Sequence, residues 1–131
     1  MSGNKAILDS NLLIFLSKGQ IDREKLRSKY DEFSVSIITY MEVYAYDFAD
    51  ETQNDLLDEI FNNLEIIEIN KEIAEQAIIY RKNKIKKIKL PDAIILATAK
   101  YANADLLTDD WDDFQKIDLS VNVLSLDDLK I

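Results

Sequence analysis

Short apolar runs alternate with longer amphipathic stretches along the chain. The short runs are rich in β-branched residues and predict five β-strands, over residues 5–9, 33–38, 64–69, 104–108 and 121–126. The longer stretches carry apolar side chains at helical spacing and predict helices over 10–19, 21–30, 52–63, 70–87 and 90–102, with one more that begins at Thr39. Because strands that alternate with helices are typical of βαβ units, we expect a three-layer α/β/α domain with a mainly parallel five-stranded sheet.

The composition is that of one ordered domain. The 131 residues are 47% hydrophobic and include two glycines and one proline, with no repeat or flexible linker that would divide them. We therefore expect a single domain over residues 1–131. The first ten residues are too polar and too short for a signal peptide, and every apolar run is far below the roughly 18 residues of a membrane span. These features predict a soluble, cytoplasmic protein.

The sequence contains no cysteine and no histidine, which restricts its chemistry. Their absence excludes disulfides, zinc sites built from Cys and His, and nucleophiles activated by histidine. A metal ion bound by this chain would need oxygen ligands. Such ligands favour a hard cation, so Mg²⁺ or Mn²⁺ is expected rather than a softer ion.

The formal net charge of −9 argues against a protein that binds nucleic acid through an overall positive charge. One segment departs from this average, because residues 81–89 hold six basic side chains in nine positions. Lys86, Lys87 and Lys89 in this segment are candidates for contacts to the phosphates of a nucleic acid. The same lysines also suit the solvated last turn of a helix, where cations interact favourably with the helix dipole.

Acidic side chains follow the predicted strands at the points where the strands end. Asp9 ends the first strand, Glu42 lies one turn beyond the second, and Asp110 follows the fourth. Asp92 begins the helix that leads into the fourth strand. Because ligands bind at the carboxyl ends of the strands in open α/β sheets, we expect these four acids to meet at one edge.

Each of these acids also has a purely local explanation. Asp9 suits a helix N-cap, Thr39 and Glu42 form a capping-box pattern, and Asp92 suits the first turn of a helix. The acidic run at residues 109–113 suits a solvated turn. Carboxylates gathered at one edge would repel one another unless they are protonated or bind a metal. A metal site explains all of them together, whereas each local explanation accounts for one.

Four motifs give the chain its resemblance to a known family: ILDSNLLI (7–14), SIITYMEV (36–43), LPDAIILATA (90–99) and LLTDDWDDF (106–114). In order and spacing they resemble the PIN-domain nucleases, most closely the VapC-type toxin ribonucleases of toxin–antitoxin pairs. The resemblance implies an endoribonuclease that hydrolyses RNA phosphodiester bonds with Mg²⁺ or Mn²⁺ as cofactor. It also implies a small antitoxin as partner, and homodimers are common in the family.

The resemblance assigns roles to particular residues by position. Asp9, Glu42, Asp92 and Asp110 take the places of the catalytic acids. Asp9, Asp92 and Asp110 would bind metal, while Glu42 would position or deprotonate the attacking water. A non-toxin PIN nuclease and a catalytically inert PIN-like binding scaffold are alternatives that the motifs leave open.

Three further residues take supporting places in the resemblance. Ser10 follows the first Asp, as a small hydroxyl residue often does in this family. Thr108 opens the fourth motif, and Asp113 is a second candidate for the fourth acid. Two residues depart from the family pattern, since Leu96 and Tyr46 stand where Ala and Gly are usual.

Overall fold

A computed structural model describes residues 4–46 and 51–131. Its strands are β1 (Lys5–Leu8), β2 (Glu32–Ser36), β3 (Glu65–Ile67), β4 (Asp105–Leu107) and β5 (Val123–Leu124). Its helices are α1 (Ser10–Ser17), α2 (Arg23–Lys29), α3 (Ile37–Tyr44), α4 (Glu51–Asn62), α5 (Lys71–Arg81), α6 (Leu90–Ala102) and α7 (Trp111–Phe114). Over these two ranges, none of the helices has the length and apolar character needed to cross a membrane.

The five strands form one sheet in the order β3-β2-β1-β4-β5. Every pairing among these strands is parallel, with Ile7 of β1 beside Ser34 of β2 and Leu106 of β4. The central strand is apolar and buried from Ala6 to Leu8, as expected for a strand covered on both faces. The predicted mainly parallel five-stranded sheet is confirmed.

Two hydrophobic cores lie on opposite faces of the sheet. Successive residues of a strand point to opposite faces, so Leu8 joins one core and Ile7 joins the other. The first core includes Leu12 of α1 and Leu57 of α4. The second includes Leu96 of α6, other residues of α5 and α6, and Leu106 of β4. Helices on both faces of one sheet make the predicted three layers.

Helix α3 begins before the predicted residue, and this changes the role of Glu42. Ser36 is the N-cap, because its Oγ accepts a hydrogen bond from the main-chain N–H of Ile38 at 3.1 Å. Thr39 therefore lies inside the helix and is fully buried, and the capping-box explanation of Glu42 is wrong. The rest of the segment that was expected to continue this helix, at residues 47–50, lies outside the described residues.

Helix α5 ends at Arg81, six residues before the predicted end at residue 87. The Asn83 side chain accepts hydrogen bonds from the main-chain N–H groups of Ile85 (2.9 Å) and Lys86 (3.0 Å). Such side-chain bonds compete with helical ones, so the chain turns here. Arg81 then donates to the carbonyl of Ile88 at 2.7 Å and holds the turn closed. Most of the basic segment is thus an ordered turn between α5 and α6.

Candidate active site

Asp9 lies at the carboxyl edge of the sheet, the edge at which β1, β2 and β4 end. Its main-chain N–H continues the parallel ladder by donating to the carbonyl of Leu107 at 3.0 Å. Its carboxylate is 4% exposed and caps α1, since Oδ1 accepts from the N–H of Ser10 at 2.8 Å. The capping explanation therefore describes one oxygen of Asp9 and leaves the second oxygen for another partner.

That partner is Thr108, the residue that follows β4. The fully buried Thr108 hydroxyl donates to Oδ2 of Asp9 at 2.7 Å and accepts from the main-chain N–H of Asp110 at 3.0 Å. One hydroxyl thus joins the end of β1 to the segment that follows β4. We call that segment, residues 108–115, the acidic loop.

Glu42 reaches the same edge from α3. The Ser10 hydroxyl donates to its Oε1 at 2.6 Å, which links the second residue after β1 to the helix after β2. The Glu42 side chain is exposed to solvent. One turn earlier on the same helix, the buried Thr39 hydroxyl has no hydrogen-bond partner among the described residues.

The electrostatics indicate that five carboxylates share this edge. Burial raises the pKa of Asp9 to about 6, and the charges of Glu42 and Asp110 add to this rise. The hydrogen bonds from Thr108 and Ser10 act in the opposite direction and lower the same pKa. Burial is also the largest cause that raises the pKa of Asp92 to about 6. Neighbouring negative charges are the smaller causes, in decreasing order those of Asp9, Glu42, Asp113 and Asp110. Because repulsion between charges weakens with distance, these acids lie within range of one another's charge.

The two candidates for the fourth acid both act on this cluster. Asp110 raises the pKa of Asp9 and of Asp92, while Asp113 acts on Asp92 more strongly than Asp110 does. They are coupled through the first turn of α7, where the N–H of Asp113 donates to the carbonyl of Asp110 at 2.9 Å. Asp110 alone of the two is also tied to Thr108 through its main chain.

A candidate site residue that the sequence pattern did not single out is Asn11. Its Oδ1 accepts from the main-chain N–H of Asp109 at 3.0 Å, and its Nδ2 donates to Oδ2 of Asp110 at 3.2 Å. The signal available in the sequence was its place two residues after Asp9, in the first turn of a helix that starts at the carboxyl edge. The Asp109 carboxylate itself pairs with Lys130 at 2.7 Å.

The donor set has the chemistry of a hard-cation site. All the acids are oxygen donors, and a cation among them would offset the burial and the mutual repulsion that raise the pKa of Asp9 and Asp92. Over residues 4–46 and 51–131, however, no group of three or more acids is close enough to hold a metal ion. Mg²⁺ commonly uses one or two carboxylates and fills its remaining positions with water, so the residues present fit such an ion.

The basic segment does not form a uniform strip of lysines. The Lys86 ammonium donates to the main-chain carbonyls of Asp112 and Gln115, the latter at 2.7 Å, so it binds the end of the acidic loop. Cations near helix C-termini stabilise the unpaired carbonyls there. Lys87 and Lys89 are exposed on the same turn, and Lys89 immediately precedes α6.

The comparison with family models assigns this parallel α/β sheet, with acids at its carboxyl edge, to one family. The PIN domain model matches residues 6–119. The chain belongs to the PIN domain family, whose members are generally nucleases.

Solved structures resemble the chain over most of its length. A chain of a toxin–antitoxin complex from Klebsiella pneumoniae is 34% identical, with a TM-score of 0.72 over 91% of this chain and 95% of that one. A chain of DNA-bound VapBC from Salmonella typhimurium is 21% identical, with a TM-score of 0.79 over 94% and 98%. A chain of FitAcB from Neisseria gonorrhoeae is 23% identical, with a TM-score of 0.69 over 91% and 96%. The last two likenesses show the fold alone. Curated protein sequences give no match to the chain.

Proposed function

We propose that this PIN domain is a metal-dependent endoribonuclease and the toxin of a toxin–antitoxin pair. The observation that carries the proposal is the cluster of carboxylates at the carboxyl edge, in which the pKa of both Asp9 and Asp92 is raised to about 6. A fold gains nothing from gathering like charges, because they repel in the absence of a cation. Acids with strongly perturbed pKa values are candidates for function on that ground.

Asp9, Asp92 and Asp110 are the residues from which Mg²⁺ or Mn²⁺ would take its one or two carboxylate ligands, with water in the remaining positions. A bound divalent ion supplies charge stabilisation for a phosphodiester transition state and a water of lowered pKa. The hydrogen bonds from Ser10 and Thr108 fix both oxygens of Asp9 and use one lone pair of each. Each carboxylate oxygen has a second lone pair, so Asp9 is oriented and still able to bind a cation.

Glu42 is the residue that would orient or deprotonate the attacking water. The Ser10 hydroxyl holds one of its oxygens at 2.6 Å, which limits the rotation of an otherwise exposed side chain. The second oxygen is available to accept a proton from water. General bases held in this way typically accelerate a reaction by about 10²–10⁴-fold.

RNA would approach the acidic edge past the basic turn. Lys87 and Lys89 are exposed beside α6, the helix that carries Asp92, and suit contacts to phosphate oxygens. Lys86 supports the site differently, because its ammonium binds the carbonyls at the end of the acidic loop. We therefore propose that Lys87 and Lys89 contact phosphate and that Lys86 keeps the acidic loop ordered.

The proposed partner is a small antitoxin, and the relatives support this part of the proposal. The Klebsiella relative, at 34% identity, comes from a toxin–antitoxin complex, and VapBC and FitAcB assemblies share the fold. A chain with a formal charge of −9 suits a basic segment on its partner, since complementary charge speeds and orients association. We also propose that two copies associate, as homodimers are common among VapC-type toxins.

Cleavage of RNA by the purified protein tests the proposal. The chain is expected to cut single-stranded RNA with Mg²⁺ or Mn²⁺ and to stop when a chelator is added. Asp9→Asn should reduce the rate at least about tenfold, because it removes a charge from the metal-binding set. Asp31→Asn is the matched control, since Asp31 is an exposed acid at the opposite edge, just before β2 begins. Equal rates for wild type and Asp9→Asn would refute the assignment.

Growth assays separate a toxin from a nuclease of another kind. Expression of the chain alone should arrest growth, and co-expression of a small open reading frame that adjoins its gene should restore growth. The Asp9→Asn variant should be harmless in both cultures. Cleavage of RNA without growth arrest would indicate a PIN nuclease that is not a toxin.

One observation favours a second candidate, a PIN-like scaffold that binds without cutting. Among the described residues, no three acids are gathered closely enough to coordinate a metal as they stand. Calorimetry with Mn²⁺ distinguishes the two candidates. An active site should give a binding heat that Asp92→Asn abolishes, whereas a scaffold should give none.

A further inference from the structure

The acidic loop carries four aspartates close together, and their side chains have different partners. Asp109 pairs with Lys130 at 2.7 Å, and Asp112 accepts from the Gln115 side chain at 3.2 Å. Asp110 instead accepts from Asn11. The aspartates of this loop look equivalent in the sequence, but their hydrogen-bond and ion-pair partners distinguish them.

Asn11 holds this loop with both ends of its amide. The carbonyl oxygen accepts from the N–H of Asp109, and the amide nitrogen donates to the carboxylate of Asp110. Asn11 is the second residue of α1, and the Asp9 cap on that helix fixes its backbone. A single side chain therefore sets the position of the loop backbone and the direction of the Asp110 carboxylate.

The residue type suits this role. Asp110 lies near Asp9 and Asp92, whose negative charges push its carboxylate away. A lysine at position 11 would neutralise Asp110 and compete with a cation, while an aspartate would add to the repulsion. An asparagine supplies a donor to the carboxylate without adding charge.

Three consecutive residues after β1 each hold a different part of this edge in place. Asp9 binds Thr108, Ser10 binds Glu42, and Asn11 binds the loop at Asp109 and Asp110. We propose that Asn11 is a positioning residue of the candidate active site, which selects Asp110 from the acidic run and directs its carboxylate toward the cluster. The proposal rests on the nuclease function proposed above.

Two substitutions separate the two contacts. Asn11→Asp has nearly the same shape and keeps the acceptor for the Asp109 N–H, but it replaces the donor to Asp110 with a repelling oxygen. Asn11→Ala removes both contacts. An acid in the first turn of α1 interacts favourably with the helix dipole, which offsets part of the added repulsion, and urea denaturation in chelator checks that Asn11→Asp remains folded. Asn62→Ala, at the exposed last position of α4, is the control of the same residue type.

The expected results differ between two readouts. Amide hydrogen exchange at Asp109, measured in chelator, should stay near wild type in Asn11→Asp and rise about tenfold in Asn11→Ala. The kcat for RNA cleavage should fall at least about tenfold in both variants, with KM nearly unchanged, because supporting residues of metal sites typically carry effects of this size. Loss of helix α1 cannot produce this pattern, since it would change exchange and kcat in both variants alike.

The proposal is overturned if Asn11→Asp retains the wild-type kcat, or if Asn11→Ala leaves exchange at Asp109 unchanged. If the wild-type protein cuts no RNA, the proposed function fails while the exchange measurement still decides the contact. Faster exchange in Asn11→Ala would then support the loop contact, and unchanged exchange would overturn it.

Discussion

The carboxylate cluster predicts that the metal-free protein is destabilised by its own candidate site, and Asp92→Asn tests this directly. The pKa of Asp92 is raised from 3.8 to about 6, first by burial and then by the neighbouring acids. Between these two pH values the folded protein retains a proton that the unfolded chain has lost. The free energy of unfolding therefore falls as the pH rises through this window, and the penalty is complete above about pH 6.

The size of the effect follows from the pKa shift. A rise of about two units corresponds to about 3 kcal/mol, at 1.36 kcal/mol for each unit. Asp92 is only partly buried, so screening by solvent lowers the expected gain on its removal to about 1–2 kcal/mol. Asparagine cannot ionise, and Asp92→Asn should therefore be more stable than wild type at pH 7 and equal to it near pH 4. For a domain of this size, the gain corresponds to roughly 3–8 °C in Tm.

Urea denaturation in chelator, at half-unit steps from pH 4 to pH 7.5, measures the difference. The two stability curves should diverge as the pH rises, while Asp31→Asn should run parallel to wild type. Parallel curves for Asp92→Asn and wild type would refute the electrostatic reasoning. Added Mn²⁺ should then stabilise wild type more than Asp92→Asn, because an ion that binds the folded state raises its stability by mass action.

Three further predictions concern other parts of the fold. Burial raises the pKa of Asp118, but hydrogen bonds from a serine, a buried tyrosine and a lysine lower it well below its usual range. Asp118→Asn should therefore lose stability above about pH 4 and lose little in stronger acid, as acid titration followed by circular dichroism would show. Thr108→Val leaves the Asp9 carboxylate without a buried donor and should cost about 1–3 kcal/mol at pH 7 by urea denaturation, with Thr108→Ser close to wild type. Lys86→Ala should lower the free energy of unfolding by about 1 kcal/mol, because it removes donors to two carbonyls. Lys87→Ala should change this free energy by less than about 0.5 kcal/mol and should instead flatten the salt dependence of RNA binding.

Local pattern was sufficient for most of the secondary structure and failed at particular ends. Helix α5 begins where the pattern predicts, and Asn70 caps it, since its Oδ1 accepts from the N–H of Ile73 at 2.8 Å. The same helix was predicted too long, because basic residues at helical spacing continue past Arg81. Asn83 ends it by a local side-chain bond that periodicity does not report. The start of α3 was misplaced for a similar reason, since Ser36 and Thr39 are both residues that suit a cap.

The sequence by itself determined the fold class and the edge at which the acids meet. Five apolar runs separated by helical stretches allow few topologies other than a parallel sheet with helices on both faces. In such a sheet, the residues that follow the strands lie at one edge whatever the details of packing.

Only the tertiary structure decided how the side chains at that edge are held. Thr108 binds Asp9 and Asn11 binds Asp110 across 99 residues of chain in each case. Which of several equivalent aspartates receives such a bond depends on how the packed elements place the acidic loop against the end of β1. Hydrophobic periodicity and residue propensity describe neighbours along the chain, so they carry no information about these contacts.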